Sequence, residues 1–281
     1  MNRKELIKEK LASKTQLINV KRATLKHTDG YVCNPKVIKL DSTFKSELPE
    51  DTDEVIYRTI IANTYNFMDS HEDVHLKGCF SKSVQENKRQ LYIKDHANYT
   101  TEMAGKVLKA YEQDGIFSDF GFDSNKSTQA LLKDVAIYKE QSEQFYSQMK
   151  EGMITQHSVG MMYVKISLAV DDASDVEGYK LYSSILPLIG NYEEAEEKGY
   201  FFAVQEAKEF ETSAVTRGSN ELTGVLNDNK ADYDIDKIIK NFGSIEKFEE
   251  IYQNYVKTRR EEAEPITSQS SKSFIDMINI Y

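Results

Sequence analysis

Tryptophan is absent from this chain of 281 residues, and cysteine and proline are scarce at two and four. The cysteines, Cys33 and Cys79, sit in neither a CxxC nor a metal-finger spacing. That excludes a disulfide framework and leaves two free thiols as the expectation, suited to a reducing compartment. Long apolar runs are also missing: none approaches the roughly 18 residues of a membrane span. The opening stretch MNRKELIKEKLASK has no apolar segment of the signal-peptide kind, so secretion is not expected. Positive charge is in deficit, with 36 Lys and Arg against 46 Asp and Glu and a net charge of -10. Sequence-independent nucleic-acid binding needs clustered cations and is therefore not expected. The one short basic cluster, Lys257, Arg259 and Arg260, is followed by Glu261 and Glu262 and reads as a solvated helix face.

What is present suits a globular protein with a sizeable core. Hydrophobic residues make up 40% and charged residues 29%, in a chain long enough for one large domain with extensions. Residues 1–14 read as a polar helix and 16–39 as irregular, with Val20, Ala23 and Leu25 hinting at a strand. A β-branched run from Glu54 to Ala62 reads as a strand. Asp114-Gly115, between Tyr111 and Ile116, reads as a hairpin turn. From Thr128 to Lys150 the spacing of Leu131, Leu132, Val135, Tyr138, Phe145 and Met149 suggests a helix capped by Gly152. Strand character follows over 155–170 and 201–216, separated by an acidic loop at 171–177 and a short acidic helix at 192–198. Beyond Thr223 a charged amphipathic stretch carries Phe248, Tyr252 and Tyr255 as helix packing. A polar segment at 267–273 then leads to an apolar terminus. The divisions that result are an N-terminal extension at 1–53, a β-rich domain at 54–223 and a helical extension at 224–281.

Three segments contain the residue types of acyl-transfer chemistry. Leu91 to His96 ends a strand-like run in a histidine before the turn formers Ala97-Asn98, and imidazole suits proton transfer near neutral pH. Gly152 to Tyr163 carries Ser158 and, two places on, Gly160, whose small size lets backbone amides approach a developing oxyanion. Phe210 to Thr216 places Glu211 among apolar and β-branched residues, where an unpaired carboxylate is costly and a histidine partner is one solution. Taken singly, each has a plain structural reading: a capping histidine, a structural serine, an outward-facing charge. His157 should point away from Ser158, since adjacent strand residues face opposite ways. His71, Asp73 and His75 alternate as metal ligands on a strand would, but metal binding is not expected there. The acidic trio Asp171, Asp172 and Asp175 reads as a solvated turn.

The order of these segments resembles the prohead (capsid maturation) serine proteases of tailed bacteriophages, which are related in fold to the herpesvirus assemblins. The resemblance runs over about residues 55–217. It rests on Asp69 and Asp73 with the following Gly78-Cys-Phe80 and Ser83, on Leu91 to His96 with Gly105-Lys106, and on Asp114-Gly115-Ile-Phe. It continues through Gly152 to Ser158-Val-Gly160 and closes on Phe210-Glu211-Thr-Ser213-Ala-Val-Thr. Two departures are His157 before the serine and Met161-Met162, which delay the aromatic to Tyr163. The insert between Val170 and Phe201 is also longer than the family pattern. The resemblance implies an α+β fold with a β-barrel core flanked by helices. It implies Ser158 as nucleophile, His96 as general base and Glu211 as third member, with no cofactor. The implied substrates are the major capsid protein and the scaffold, and the chain itself, inside an assembling procapsid in the host cytoplasm. Self-association is compatible with it, as is a role for the C-terminal extension in docking to scaffold or capsid. The alternative from the same resemblance is an assembly protein that keeps the fold without activity.

Overall fold

A computed structural model describes residues 2–24, 48–87 and 89–226, all within one compact unit, Met1–Asn229. The helical extension expected beyond Thr223, with its tyrosine stripe, basic cluster and apolar terminus, lies outside the described residues, except for its first few. So does Cys33. Cys79 is a free, buried thiol.

The unit is α+β, with seven strands in one sheet and six α-helices among the described residues. The strands are β1 (Val55–Thr64), β2 (Asp73–His75), β3 (Leu91–Lys94), β4 (Met103–Ile116), β5 (Ser127–Tyr138), β6 (Gln156–Val170) and β7 (Tyr200–Val215). The helices are α1 (Arg3–Ala12), α2 (Lys14–Ala23), α3 (Ser81–Glu86), α4 (Glu143–Lys150), α5 (Val176–Ile185) and α6 (Tyr192–Lys198). The sheet runs β1-β5-β4-β3-β7-β2, with β6 added to β7. Strand β7 organises it. One edge of β7 pairs antiparallel with β6 over its whole length. Its other edge is shared by two short parallel strands, β2 at Phe202–Val204 and β3 at Thr212–Ala214.

Strands β1 and β6 form no ladder with each other among the described residues. The segment after β7 lies between them. Toward β1 it makes the bridge Ile60–Val225 and the bonds Ile61 N–H to Gly224 O, 2.9 Å, and Leu226 N–H to Thr59 O, 2.8 Å. Toward β6, His157 Nδ1 meets Thr223 O at 2.9 Å and the His157 N–H donates to Thr223 Oγ1 at 3.3 Å. Asn220, buried, donates to Thr64 O at 2.7 Å.

The core follows from the strands' two-residue period. His157, Val159, Met161 and Tyr163 of β6 are all buried, and Val159, Met161 and Tyr163 join Leu131 of β5 and Phe80 in the largest apolar cluster. Helices α1 and α2 pack Leu6, Leu11, Leu17 and Ile18 on that cluster. Three ion pairs fasten them: Arg3–Asp171 at 2.6 Å, Lys14–Asp175, and Lys21–Asp73 at 2.6 Å.

Several local expectations are corrected. Residues 128–138 are strand β5, not the start of a helix; only 143–150 are helical, capped by Ser142, whose hydroxyl accepts from Phe145 N–H at 3.3 Å. Asp114-Gly115 does not turn the chain. Strand β4 runs through it to Ile116, and the reversal comes after, where Gly121 takes φ 95°. Residues 14–23 are helix α2 rather than irregular chain. The acidic stretch 171–177 is not merely solvated: Asp175 caps α5, accepting from Gly178 N–H at 3.2 Å, and Asp171 and Asp175 bind Arg3 and Lys14. The strands at 156–170 and 200–215 and the acidic helix at 192–198 stand as expected.

Candidate functional site

The site is built on one face of the β6–β7 pair and on the turn that follows β3. Ser158 lies directly opposite Ser213, and Gly160 directly opposite Glu211. Residues two apart on a strand share a face, so Ser158, Gly160, Glu211 and Ser213 form a square on one surface. Facing residues on adjacent strands hold their Cβ atoms about 4.5–5.5 Å apart. Ser158 is 5% exposed and Glu211 2%.

A bulge gives Glu211 its direction. Gly160 pairs with Glu211 but Met161 pairs with Glu209, so Phe210 is an extra residue on β7. Bulges of this kind re-aim side chains. Two carboxylates two residues apart thereby face opposite ways. Glu209 points inward, where it pairs with the fully buried Lys133 and accepts from Thr212 Oγ1 at 3.0 Å. Glu211 points outward, across Gly160. A Cβ at position 160 would collide with Glu211 Oε1, so glycine leaves room for the carboxylate as it stands. Besides the role expected for it, Gly160 thus makes space for a side chain.

Strand β3 delivers His96. Its parallel pairing with β7 sets Ile93 beside Ser213 and Lys94 beside Ala214, after which Asp95 and His96 both take left-handed backbone angles, φ 49° and 56°. Asp and His are among the few non-glycine residues tolerated there, at a cost of about 1–2 kcal/mol each. Three bonds hold the turn: Asp95 N–H to Ala214 O at 2.9 Å, Ala97 N–H to Lys94 O at 2.9 Å, and His96 N–H to Ser213 Oγ at 3.0 Å. The imidazole then meets Glu211, with Nδ1 to Oε1 at 2.6 Å. Ser213 donates its own hydroxyl proton to Glu211 Oε2 at 2.8 Å. Both carboxylate oxygens therefore act as acceptors, and Nδ1 carries the proton. That fixes the tautomer in which Nε2 is the basic nitrogen.

The three residues singled out in the sequence, His96, Ser158 and Glu211, are thus gathered around one strand pair. Ser213 is the member that sequence reasoning passed over. The signal was there: in Glu-x-Ser on one strand, both side chains share a face.

His157 lies on the opposite face, fully buried. Its Nδ1 donates to Thr223 O, so Nε2 accepts from Tyr92 Oη at 3.1 Å. Burial away from any carboxylate lowers its pKa from 6.5 to about 4. It is a neutral structural histidine. His71, Asp73 and His75 do not converge as ligands, and no metal-holding group of three or more occurs among the described residues. Asp73 instead accepts from Lys21 and from Tyr163 Oη, each at 2.6 Å. No described helix is long and apolar enough to cross a membrane. Compared with known proteins, the chain matches no family model, no curated protein and no solved structure.

Proposed function

We propose that this chain is a serine endopeptidase of the prohead-protease type, its sheet corresponding to the assemblin-like barrel. The observation that carries the reading is the 2.6 Å bond from His96 Nδ1 to Glu211 Oε1, within the cluster that contains Ser158. A carboxylate-oriented imidazole beside a serine is the arrangement that activates a hydroxyl. His96 Nε2 takes the proton from Ser158 Oγ as that oxygen bonds to the peptide carbonyl carbon, whose π electrons move onto oxygen. Collapse of the tetrahedral adduct breaks the C–N bond, and His96 returns the proton to the leaving amine. Water then attacks the acyl ester, with its proton passing through His96 back to Ser158. Glu211 stabilises the imidazolium in both halves.

By the resemblance, the substrates are scaffold and major capsid protein during procapsid maturation in the host cytoplasm, and the chain itself. Wild type and Ser158→Ala, each followed by intact mass over hours alone and with unfolded casein, test the reading. Cleavage by wild type alone supports it; intact chains in every mixture, with folded protein, remove it. The second reading, an assembly protein without activity, draws on the near-complete burial of Ser158. It predicts that a fluorophosphonate probe leaves Ser158 unlabelled.

A further inference from the structure

Ser213 is fully buried and sits at the centre of the cluster. Its oxygen accepts from the main-chain N–H of His96, 117 residues earlier, and its proton goes to the Glu211 carboxylate two residues before it. It lies opposite Ser158 on the neighbouring strand. We propose that Ser213 is a positioning residue that ties the backbone of His96 to the carboxylate of Glu211, and so holds the imidazole with Nδ1 toward Glu211 and Nε2 as its basic nitrogen.

The need for such a tie follows from the turn. Asp95 and His96 both stand at left-handed angles, a conformation that persists only where its surroundings over-determine it. The main-chain bonds of Asp95 and Ala97 hold either side of His96, but the N–H of His96 itself has Ser213 Oγ as its acceptor. Without that hydroxyl a half-buried N–H loses this acceptor and Glu211 Oε2 loses a donor, so the turn and the carboxylate both gain freedom. A hydroxyl is needed rather than an amide or a thiol. It must accept and donate at once, along two directions, within the small space beneath the imidazole.

The inference rests on the peptidase reading only for its consequence in rate; the tie itself is tested without activity. Imidazole 15N spectra, assigned with His96→Gln, report the tautomer of neutral His96. Wild type should show Nδ1 protonated. Ser213→Ala should show mixed tautomers, and Ser213→Thr, which keeps the hydroxyl, should restore the wild-type pattern. In parallel, the rate of Ser158 labelling by a fluorophosphonate probe should fall about 10- to 100-fold in Ser213→Ala, the scale expected of slight misplacement of a reacting group. It should recover in Ser213→Thr. Leu132→Ala, a core truncation away from the site, supplies a control of lowered Tm with unchanged labelling.

Should Ser213→Ala retain the wild-type imidazole pattern, the tie is wrong. Should Leu132→Ala, at a similar fall in Tm, lose as much labelling as Ser213→Ala, the effect is structural and the inference also falls. If the added methyl of Ser213→Thr prevents folding, the Ser213→Ala spectrum alone decides. If wild type shows the fixed tautomer but never labels, the tie stands and the peptidase reading fails.

Discussion

At the scale of single residues, the arrangement turns on very small groups. Gly160 is the clearest case. Its missing side chain is the space that Glu211 Oε1 occupies, so Gly160→Ala should drive the carboxylate off its line to His96. The expected result is loss of probe labelling by about 100-fold, with the protein still folded, read by labelling rate beside a thermal melt. Ser158→Ala should abolish labelling while the protein still folds, read by the same probe beside a thermal melt. His157 gives a prediction in pH. Its folded pKa of about 4 lies below the ordinary 6.5, so between those values the unfolded chain binds a proton that the folded chain refuses. Stability is therefore intact above pH 6.5 and declines as pH falls toward 4, by up to about 3 kcal/mol. Denaturant melts from pH 7 to 4.5 should show that slope, and His157→Gln should flatten it.

At the scale of elements, the bulge at Phe210 separates two carboxylates into two environments, and the inward one is anchored by Lys133. Replacing Lys133 by Met leaves Glu209 buried without its cation, which should cost about 3–5 kcal/mol. Lys133→Met with Glu209→Leu should recover much of it, because a well-packed apolar pair does as well as a buried ion pair. If the double variant melts normally but labels slowly, the ion pair is holding the bulge that aims Glu211. Much of this level was legible from residues alone. The β-branched runs of β1, β6 and β7 announced themselves, and His96, Ser158 and Glu211 stood out through the order of their segments. Strand β5 did not, and the reason is physical. Ala130 to Ile137 is buried on both faces, so no alternation of polar and apolar residues exists to mark it, and Leu131, Leu132 and Val135 mimic a helix. The Asp-Gly pair misled because β4 is long enough to carry it inside a ladder to Gln129 and Thr128. Helix α2 was hidden because its amphipathic face is covered by tertiary contacts with β6, which propensity does not foresee. The aim of Glu211 depends on a bulge, and a bulge leaves no mark in the sequence.

At the scale of the whole unit, the segment from Ser219 to Leu226 lies between β1 and β6, which form no ladder with each other among the described residues. Asn220→Ala removes the donor to Thr64 O and the acceptor for Leu222 N–H, and should cost about 1–3 kcal/mol. Hydrogen exchange locates the effect. The amides of Ile61 and Leu226, which join β1 to this segment, should exchange faster, whereas those of the β6–β7 ladder should not. Uniform acceleration would mean that the segment does not open separately.

The parallel seat of β3 beside β7 also has a meaning in time. His96 and Glu211 are separated by 115 residues of chain, and β7 is the last of the seven strands to be made. At about 5–20 residues per second of synthesis, the imidazole waits on the order of ten seconds for its carboxylate. A nascent or truncated chain ending before residue 211 therefore lacks the group that orients His96, however well its earlier strands have formed. On the peptidase reading proposed above, the order of the strands acts as a delay, keeping the chain chemically silent until nearly all of its sheet has been made.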